Sequence, residues 1–300
     1  SHEIRMRQSP LLQTFLTAIL LTTAWRAPAA ETIRKDVEYA RIGERSLALD
    51  LYRPDSNDPA PVVVWVHGGA WRSGSKNDVP VKRWLEHGLA IASVDYRLSP
   101  EAQFPAPVHD IKAAIRYLQA NAITLEIDPG RVVVAGSSAG GHLAALVGVS
   151  NGVKPLEGDV GVSPATPARV HATVSFFGAS NLESILSQST PHGLSVRVPA
   201  LKLLLGGTPE EKPDLARLAS PVTHVDKSDP PLWLIHGDAD PQMPIEQSKE
   251  LAARYEQLKL PVSFETIPGG KHGGPEFFEP QRLDRLASEL KKSLVRHATD

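Results

Sequence analysis

A serine between two glycines stands where an apolar stretch gives way to a helical pattern, and this feature constrains the fold more than any other part of the chain. The pentapeptide GSSAG (residues 136–140) follows the apolar stretch at residues 131–135 and precedes the helical pattern of residues 142–146. Glycine at both ends relieves crowding, because a side chain there would collide with the crossing strand and helix. The context predicts a strand, a sharp turn and a helix, with the Ser138 hydroxyl exposed as a nucleophile. A plain glycine-rich loop is the alternative interpretation of the pentapeptide alone.

Strand-like and helix-like patterns alternate along most of the chain, after an N-terminal hairpin formed by residues 35–41 and 46–53. The predicted strands are residues 61–66, 90–96, 131–135, 171–177, 232–235 and 262–267, and the predicted helices are residues 79–87, 108–120, 245–259 and 276–296. Such alternation is typical of parallel βαβ units. The predicted fold is therefore α/β: a mostly parallel open sheet with an antiparallel hairpin at its start and helices on both faces.

Residues 182–220 interrupt this alternation with prolines around a leucine-rich centre, LKLLL at residues 201–205. We interpret them as an inserted cap that covers the site. A chain of 300 residues with 41% hydrophobic content can bury one sizeable core. The prediction is a single catalytic domain, residues 31–300, that contains the cap.

The N-terminal residues resemble an export signal. A basic start at Met6 and Arg7 is followed by an apolar stretch, residues 11–21, that is too short to cross a bilayer comfortably. Small residues at 27–30 then offer a cleavage site after Ala29 or Ala30. Residues 1–5, upstream of the methionine, are interpreted as added sequence. The expected location is secreted or periplasmic, with no stable membrane insertion after cleavage.

Composition excludes several classes of function. The net charge of −2 and the absence of a basic run argue against nucleic acid as a partner. The chain has no cysteine, which excludes disulfides, thiolate catalysis and cysteine-type zinc sites. The histidines and acids show no zinc spacing such as His-Glu-x-x-His. We expect neither a metal nor a cofactor.

A serine nucleophile needs a base, and the base needs an orienting acid. The base is predicted to be His272, in the glycine-rich loop GGKHGG that follows the strand at 262–267. The acid is predicted in the loop after the strand at 232–235, where both Asp238 and Asp240 occur. We favour Asp240, because the chain must pass the strand end before it turns towards the histidine, and Asp238 remains the alternative.

A second loop is predicted to stabilise the oxyanion of the tetrahedral intermediate. The sequence HGGAW at residues 67–71 follows the strand at 61–66, where such a loop is expected. Glycines let a backbone approach a ligand closely, so the amides of Gly69 and Ala70 are predicted to lie opposite that of Ala139. We also expect Trp71 and the cap to line the substrate pocket.

At this point the chain resembles a known family, from about residue 36 to residue 278. The motifs that carry the resemblance are VHGGAW (66–71), DYRLSP (95–100), FPAP (104–107), GSSAGGH (136–142) and HGDAD (236–240). They are similar to those of α/β-hydrolase carboxylesterases, nearest to the bacterial feruloyl-esterase and acetyl-xylan-esterase-like (BD-FAE) group, with hormone-sensitive-lipase-like esterases next.

The resemblance implies specific roles: Ser138 as nucleophile, His272 as base and Asp240 as acid. It also implies oxyanion amides around Gly69, Ala70 and Ala139. Two departures from the lipase-like branch, which has a third glycine at the position of Ala70 and often an aspartate at that of Ser137, favour the feruloyl and acetyl esterase side.

The expected function is hydrolysis of short-chain, acetyl or feruloyl esters, on a small-molecule or carbohydrate-linked substrate. Two alternatives belong to other classes: a serine peptidase of the prolyl-oligopeptidase type, and a non-catalytic binding protein on a hydrolase scaffold. Comparison of ester and peptide anilide substrates separates the enzymes, and retention of every catalytic part argues against the binding protein.

Overall fold

Eight strands form one sheet in the part of the chain that the structure, a computed structural model, describes: residues 32–162 and 166–297. The strands are β1 (Thr32–Ile42), β2 (Arg45–Arg53), β3 (Ala60–Val66), β4 (Ala90–Val94), β5 (Ile127–Ser137), β6 (Ala172–Phe176), β7 (Leu232–Gly237) and β8 (Val262–Ile267). The predicted added sequence and signal peptide, together residues 1–30, lie outside the described residues and stay a prediction.

The strand order is β1-β2-β4-β3-β5-β6-β7-β8. β1 pairs antiparallel with β2, and β2 pairs antiparallel with β4, whereas every later pair in the sheet is parallel. The predicted fold class is confirmed: an open, mostly parallel sheet that begins with an antiparallel hairpin. Because the parallel strands end at the same edge, the loops after β3, β5, β7 and β8 gather there.

Helices cover both faces of the sheet. They are α1 (Ala106–Ala120), α2 (Ala122–Leu125), α3 (Ala139–Val149), α4 (Lys154–Glu157), α5 (Ile185–Gln188), α6 (Pro191–Leu205), α7 (Pro213–Leu218), α8 (Glu246–Gln257) and α9 (Pro280–His297). α1, α3 and α8 pack on one face, and α9 packs on the other. In β3 the side chains of Val62 and Val64 pack on the face covered by α1 and α3, and that of Trp65 packs on the face covered by α9. The two-residue period of a strand accounts for this alternation.

Two predicted helices differ from the observed elements. The helix predicted at 79–87 forms only a 3₁₀ helix, Lys82–His87. Pro80 has no amide proton to donate and disfavours the helical conformation at the residue before it, which accounts for the shortening. The C-terminal helix predicted from residue 276 begins at Pro280, after a short 3₁₀ helix that buries Phe277. Proline is well suited to the first turn of a helix, so it marks the start.

Among residues 32–162 and 166–297, no helix combines the length and the apolar character needed to cross a bilayer.

Candidate active site

Ser138 lies at the tip of the turn between β5 and α3. Its backbone has φ 54° and ψ −118°, an unfavourable conformation for a residue with a side chain. The turn is held by the Ser138 amide, which donates to the Phe176 carbonyl at 2.9 Å. A Cβ atom on Gly136 would lie 2.4 Å from the Gly140 carbonyl oxygen, and one on Gly140 would lie 2.0 Å from that of Val66. Only glycine fits at either end of the turn.

Hydrogen bonds join Ser138 to His272 and Asp240 in one continuous chain. Ser138 Oγ lies 2.8 Å from His272 Nε2, and His272 Nδ1 lies 2.7 Å from Asp240 Oδ2. A carboxylate only accepts hydrogen bonds, so Nδ1 carries the imidazole proton and Nε2 is left to accept from the serine hydroxyl. The structure thus brings together the three residues predicted as nucleophile, base and acid, in the orientation that proton transfer from Ser138 requires.

The surroundings of Asp240 keep its carboxylate ionised. The side chain is fully buried, and burial alone would raise the pKa. Hydrogen bonds from His236, His272 and the Met243 amide outweigh it and hold the pKa of Asp240 well below its usual range. The Oδ1 atom accepts from the amides of Gln242 and Met243 at 2.8 and 2.9 Å. The Asp240 carboxylate is therefore a buried anion, held in place by backbone amides and hydrogen-bonded to the His272 ring.

The alternative acid, Asp238, lies elsewhere in the same loop. It is exposed, and its Oδ1 accepts from the Gly269 amide at 2.7 Å. This bond ties the loop after β7 to the loop after β8, which carries His272. Asp238 therefore stabilises the junction of the two loops, and only Asp240 reaches the imidazole.

The loop after β3 forms part of the cleft around the serine. Gly69 and Ala70 line the same cleft as Ser138. Both have positive φ, 108° and 52°, and the Gly69 carbonyl accepts from the amides of Arg72 and Ser73. Ala139 is the first residue of α3, where a backbone amide has no carbonyl partner within the helix. The amides predicted to bind an oxyanion thus come from two backbone segments beside the serine.

The predicted substrate contact of Trp71 is wrong. Its side chain is fully buried beneath the loop, and its indole Nε1 donates to His142 Nδ1 at 3.0 Å. Burial lowers the pKa of His142 to about 4, so its ring is neutral and donates through Nε2 to the Ala219 carbonyl. A buried indole N–H needs an acceptor, and the inward orientation of the Trp71 side chain provides one in His142. Trp71 anchors the loop from below.

The cleft has a volume of about 470 Å³, and part of its wall comes from α6. Within the segment predicted as a cap, Val196 and Arg197 are the residues that line the cleft. Phe177 lines it from the end of β6 and packs edge-on against His272, with ring centroids 5.0 Å apart. The cap was expected to line the pocket, but neither Val196 nor Arg197 was singled out within it, and Phe177 was not predicted as a site residue. Only the double phenylalanine at the end of a predicted strand was a usable signal.

Arg197 differs from the other cleft residues in carrying a buried charge. Its Nη2 donates to the Gln242 carbonyl at 3.1 Å, and its guanidinium lies 5.6 Å from the Trp71 ring centroid. Burial lowers the pKa of Arg197 to about 10, against the opposing effect of the Asp240 charge. The guanidinium therefore stays protonated at neutral pH, next to the loop that holds the acid.

Within residues 32–162 and 166–297, no three or more His, Asp or Glu side chains come close enough together to hold a metal ion.

Comparison with known proteins agrees with this geometry. The sequence profile of the BD-FAE family matches residues 49–255. The esterase LipC of Mycobacterium tuberculosis is 31% identical, over 91% of this chain and 72% of its own length. This chain spans 58% and 55% of two further relatives from that organism.

Solved structures give the same answer. A truncated carbohydrate esterase from gut microbiota has a TM-score of 0.77 and 32% identity, over 88% of this chain and 96% of its own. An acetyl ester-xyloside bifunctional hydrolase from Caldicellulosiruptor lactoaceticus has a TM-score of 0.70 and 27% identity, over 83% and 89% of the two chains. Sequence and fold therefore lead to one assignment: the chain belongs to the BD-FAE family and is a carboxylesterase of the α/β-hydrolase fold.

Proposed function

We propose that Ser138, His272 and Asp240 form the catalytic triad of this carboxylesterase and that hydrolysis proceeds through an acyl-enzyme. The observation that carries the proposal is the unbroken hydrogen-bond chain from Ser138 Oγ through His272 to the buried Asp240 carboxylate. The serine end of that chain opens into a cleft large enough for a small ester.

In the first half-reaction, Ser138 Oγ attacks the ester carbonyl carbon while His272 Nε2 takes the hydroxyl proton. Asp240 stabilises the imidazolium that forms. The carbonyl π electrons move to the oxygen, where the amides of Ala139 and the loop at Gly69 donate to the oxyanion. Such a donor typically contributes roughly 3–4 kcal/mol of transition-state stabilisation. The intermediate collapses, the C–O bond to the alcohol breaks, and His272 protonates the departing alkoxide.

The second half-reaction restores the serine. His272 Nε2 takes a proton from a water molecule, whose oxygen attacks the acyl carbon. The tetrahedral intermediate again places its charge at the oxyanion amides. The bond to Ser138 Oγ then breaks, the serine regains its proton from His272, and the carboxylic acid leaves.

We infer that the substrates are short-chain, acetyl or feruloyl esters, including esters attached to carbohydrate. Family membership supports this class, as do a carbohydrate esterase and an acetyl ester-xyloside hydrolase among the similar structures. A panel of p-nitrophenyl esters of increasing chain length, with methyl ferulate and acetylated xylan, tests it. Fastest turnover on long-chain esters, with none on the acetyl and feruloyl substrates, would contradict the inference.

The nucleophile can be tested directly. Ser138→Ala should fold normally and lose short-chain ester hydrolysis by a factor on the order of 10⁴ or more. A fluorophosphonate probe should label the protein at Ser138, and both Ser138→Ala and His272→Ala should abolish labelling. The neighbouring serine offers a matched control, since Ser137→Ala should still be labelled. A well-folded Ser138→Ala protein with a tenth of the original turnover would overturn the triad.

We also propose that the protein is exported to the periplasm or the medium. The support is the basic start, the short apolar stretch and the small residues before residue 31. N-terminal sequencing of the protein recovered from each cell fraction tests the proposal. A cytoplasmic protein that still carries residues 6–30 would contradict it.

A further inference from the structure

Arg197 is a buried cation in the wall of the cleft, and within residues 32–162 and 166–297 no acidic side chain forms an ion pair with it. The residue is 1% exposed and lines the cleft together with Ser138 and His272. Two other arginines of the described chain are comparably buried, Arg53 and Arg116. Each of those lies beside a glutamate: Arg53 contacts Glu126, and Arg116 lies 3.6 Å from Glu157.

The hydrogen bonds of Arg197 leave part of the guanidinium unused. A guanidinium carries five N–H groups, and within the described residues the only acceptor for those of Arg197 is the Gln242 carbonyl, bonded to Nη2. The Nε atom is buried without a partner, but the same holds for Arg53 and Arg116, so Nε does not distinguish them. Among the described residues, Arg197 differs from the other two in that no carboxylate forms an ion pair with it and no group accepts a hydrogen bond from Nη1, although the more distant charge of Asp240 acts on it. Arg197 also lines the cleft.

Such an arrangement fits a ligand that supplies an acceptor. Burying a charge is costly unless it is paired and hydrogen-bonded, and a wholly apolar ligand would displace water without replacing its hydrogen bonds. An oxygen atom of the substrate would accept from Nη1 and offset that cost. The chemistry of the position therefore favours an ester that carries an oxygen acceptor beyond its scissile group.

We propose that Arg197 is a specificity-determining residue, whose Nη1 donates a hydrogen bond to a hydroxyl, carbonyl or carboxylate oxygen of the bound ester. The proposal rests on the proposed function, because it assumes that the ester is held beside Ser138. The acceptor belongs either to the acyl part or to the alcohol part of the ester, and the two sources are separated by the substrates chosen below.

The experiment compares matched pairs of esters that differ in the acceptor. Cyclohexyl acetate against a monoacetylated methyl xyloside tests the alcohol part, and methyl pentanoate against monomethyl glutarate tests the acyl part. The readout is the ratio of kcat/KM within each pair, measured for the original protein and for Arg197→Met. Methionine keeps most of the aliphatic volume and removes the donors. In one of the two pairs, Arg197→Met should lower kcat/KM for the acceptor-bearing ester roughly ten- to a hundredfold more than kcat/KM for its partner.

A purely structural role predicts a different result. If Arg197 only holds the Gln242 carbonyl and packs on Trp71, Arg197→Met lowers kcat/KM for both esters of each pair by the same factor. The ratios then stay unchanged, which overturns the proposal. Arg116→Met is the matched control: it deletes a buried arginine that does not line the cleft and should leave both ratios unchanged. Should Arg197→Met not fold, Arg197→Lys replaces it, with a smaller change expected in the same ratio.

Failure of this proposal is distinguishable from failure of the proposed function. If Ser138→Ala abolishes hydrolysis of all four esters and Arg197→Met leaves both kcat/KM ratios unchanged, the role of Arg197 is rejected and the triad is kept. Hydrolysis that persists in Ser138→Ala rejects the triad and with it the basis of the role proposed for Arg197.

Discussion

At the scale of single residues, the two aspartates of one loop offer a sharp comparison. Asp240 is buried against His272, whereas Asp238 is exposed and holds the Gly269 amide. Asp240→Asn should lower kcat by a factor on the order of 10⁴, because it removes the group that fixes the imidazole tautomer and stabilises its charged form. Asp238→Asn keeps an acceptor for the Gly269 amide and should lower kcat by less than about tenfold.

The measurement is kcat and kcat/KM for p-nitrophenyl acetate, with thermal unfolding of each variant as the control for folding. Equal losses at the two positions, or the larger loss at Asp238, would contradict the assignment of the acid while leaving the serine and the histidine in place.

Motifs predicted some of the residues that meet at the cleft and missed others. The proximity of Ser138, His272 and Asp240 was predictable because each follows a recognisable strand, and strand ends meet at one edge of a parallel sheet. Arg197 was not, since a lone arginine in a proline-rich segment has no neighbour in sequence that relates it to the serine. Trp71 was misplaced because the direction of a side chain depends on its buried partners, here His142, which are remote in sequence.

At the scale of elements, the turn between β5 and α3 depends on close backbone contacts. Gly140→Ala should destabilise the fold by roughly 3 kcal/mol or more, since the new Cβ would lie 2.0 Å from the backbone oxygen of Val66 and neither segment can move freely. Gly130→Ala is the control, because a Cβ there meets only an Asp128 side-chain oxygen at 3.3 Å. Urea denaturation of the two variants measures the difference.

If Gly140→Ala unfolds at the same urea concentration as the original protein and keeps its turnover, the tight crossing of the turn and β3 is wrong. Loss of turnover with stability retained would mean that the turn adjusts locally and displaces Ser138 instead.

The sequence patterns predicted elements better than their boundaries. The continuous apolar run of β3 and the periodic pattern of α1 were found at nearly their observed positions, because burial dictates both patterns. The helix at 79–87 was overestimated because Pro80 lies near the start of the pattern, and only a 3₁₀ helix, Lys82–His87, follows it. Residues 182–220 gave no element assignment, since prolines at helix starts and prolines in loops look alike before the fold is known.

At the scale of the whole molecule, the sheet type was predictable and the strand order was not. Alternation of strands and helices implies parallel pairing, but it does not say that β4 lies between β2 and β3. That order is set by which apolar faces pack together across long stretches of sequence.

Between about pH 4 and pH 7, the stability of the protein should depend on the titration of a buried carboxyl group, that of Asp229. Asp229 lies in the turn before β7, where burial raises its pKa to about 7, opposed by a hydrogen bond from the Asp226 amide and reinforced by the Asp226 charge. In the unfolded chain an aspartate titrates near ~3.9. Between these values the unfolded chain releases a proton that the folded protein keeps, so the free energy of unfolding falls as pH rises.

Asp229→Asn removes this titration and retains an oxygen that accepts from the Asp226 amide. The free energy of unfolding of the variant, relative to that of the original protein, should therefore increase as pH rises from about 4 to about 7, by no more than about 4 kcal/mol in total. Above about pH 7 the difference should stay constant. Urea denaturation at pH 4.5, 6 and 8 measures the difference, with Asp238→Asn as an exposed control. His171 lines the same small pocket as Asp229. A difference between the two proteins that is the same at all three pH values would show that Asp229 is ionised in the folded protein throughout, and that the turn before β7 tolerates the charge.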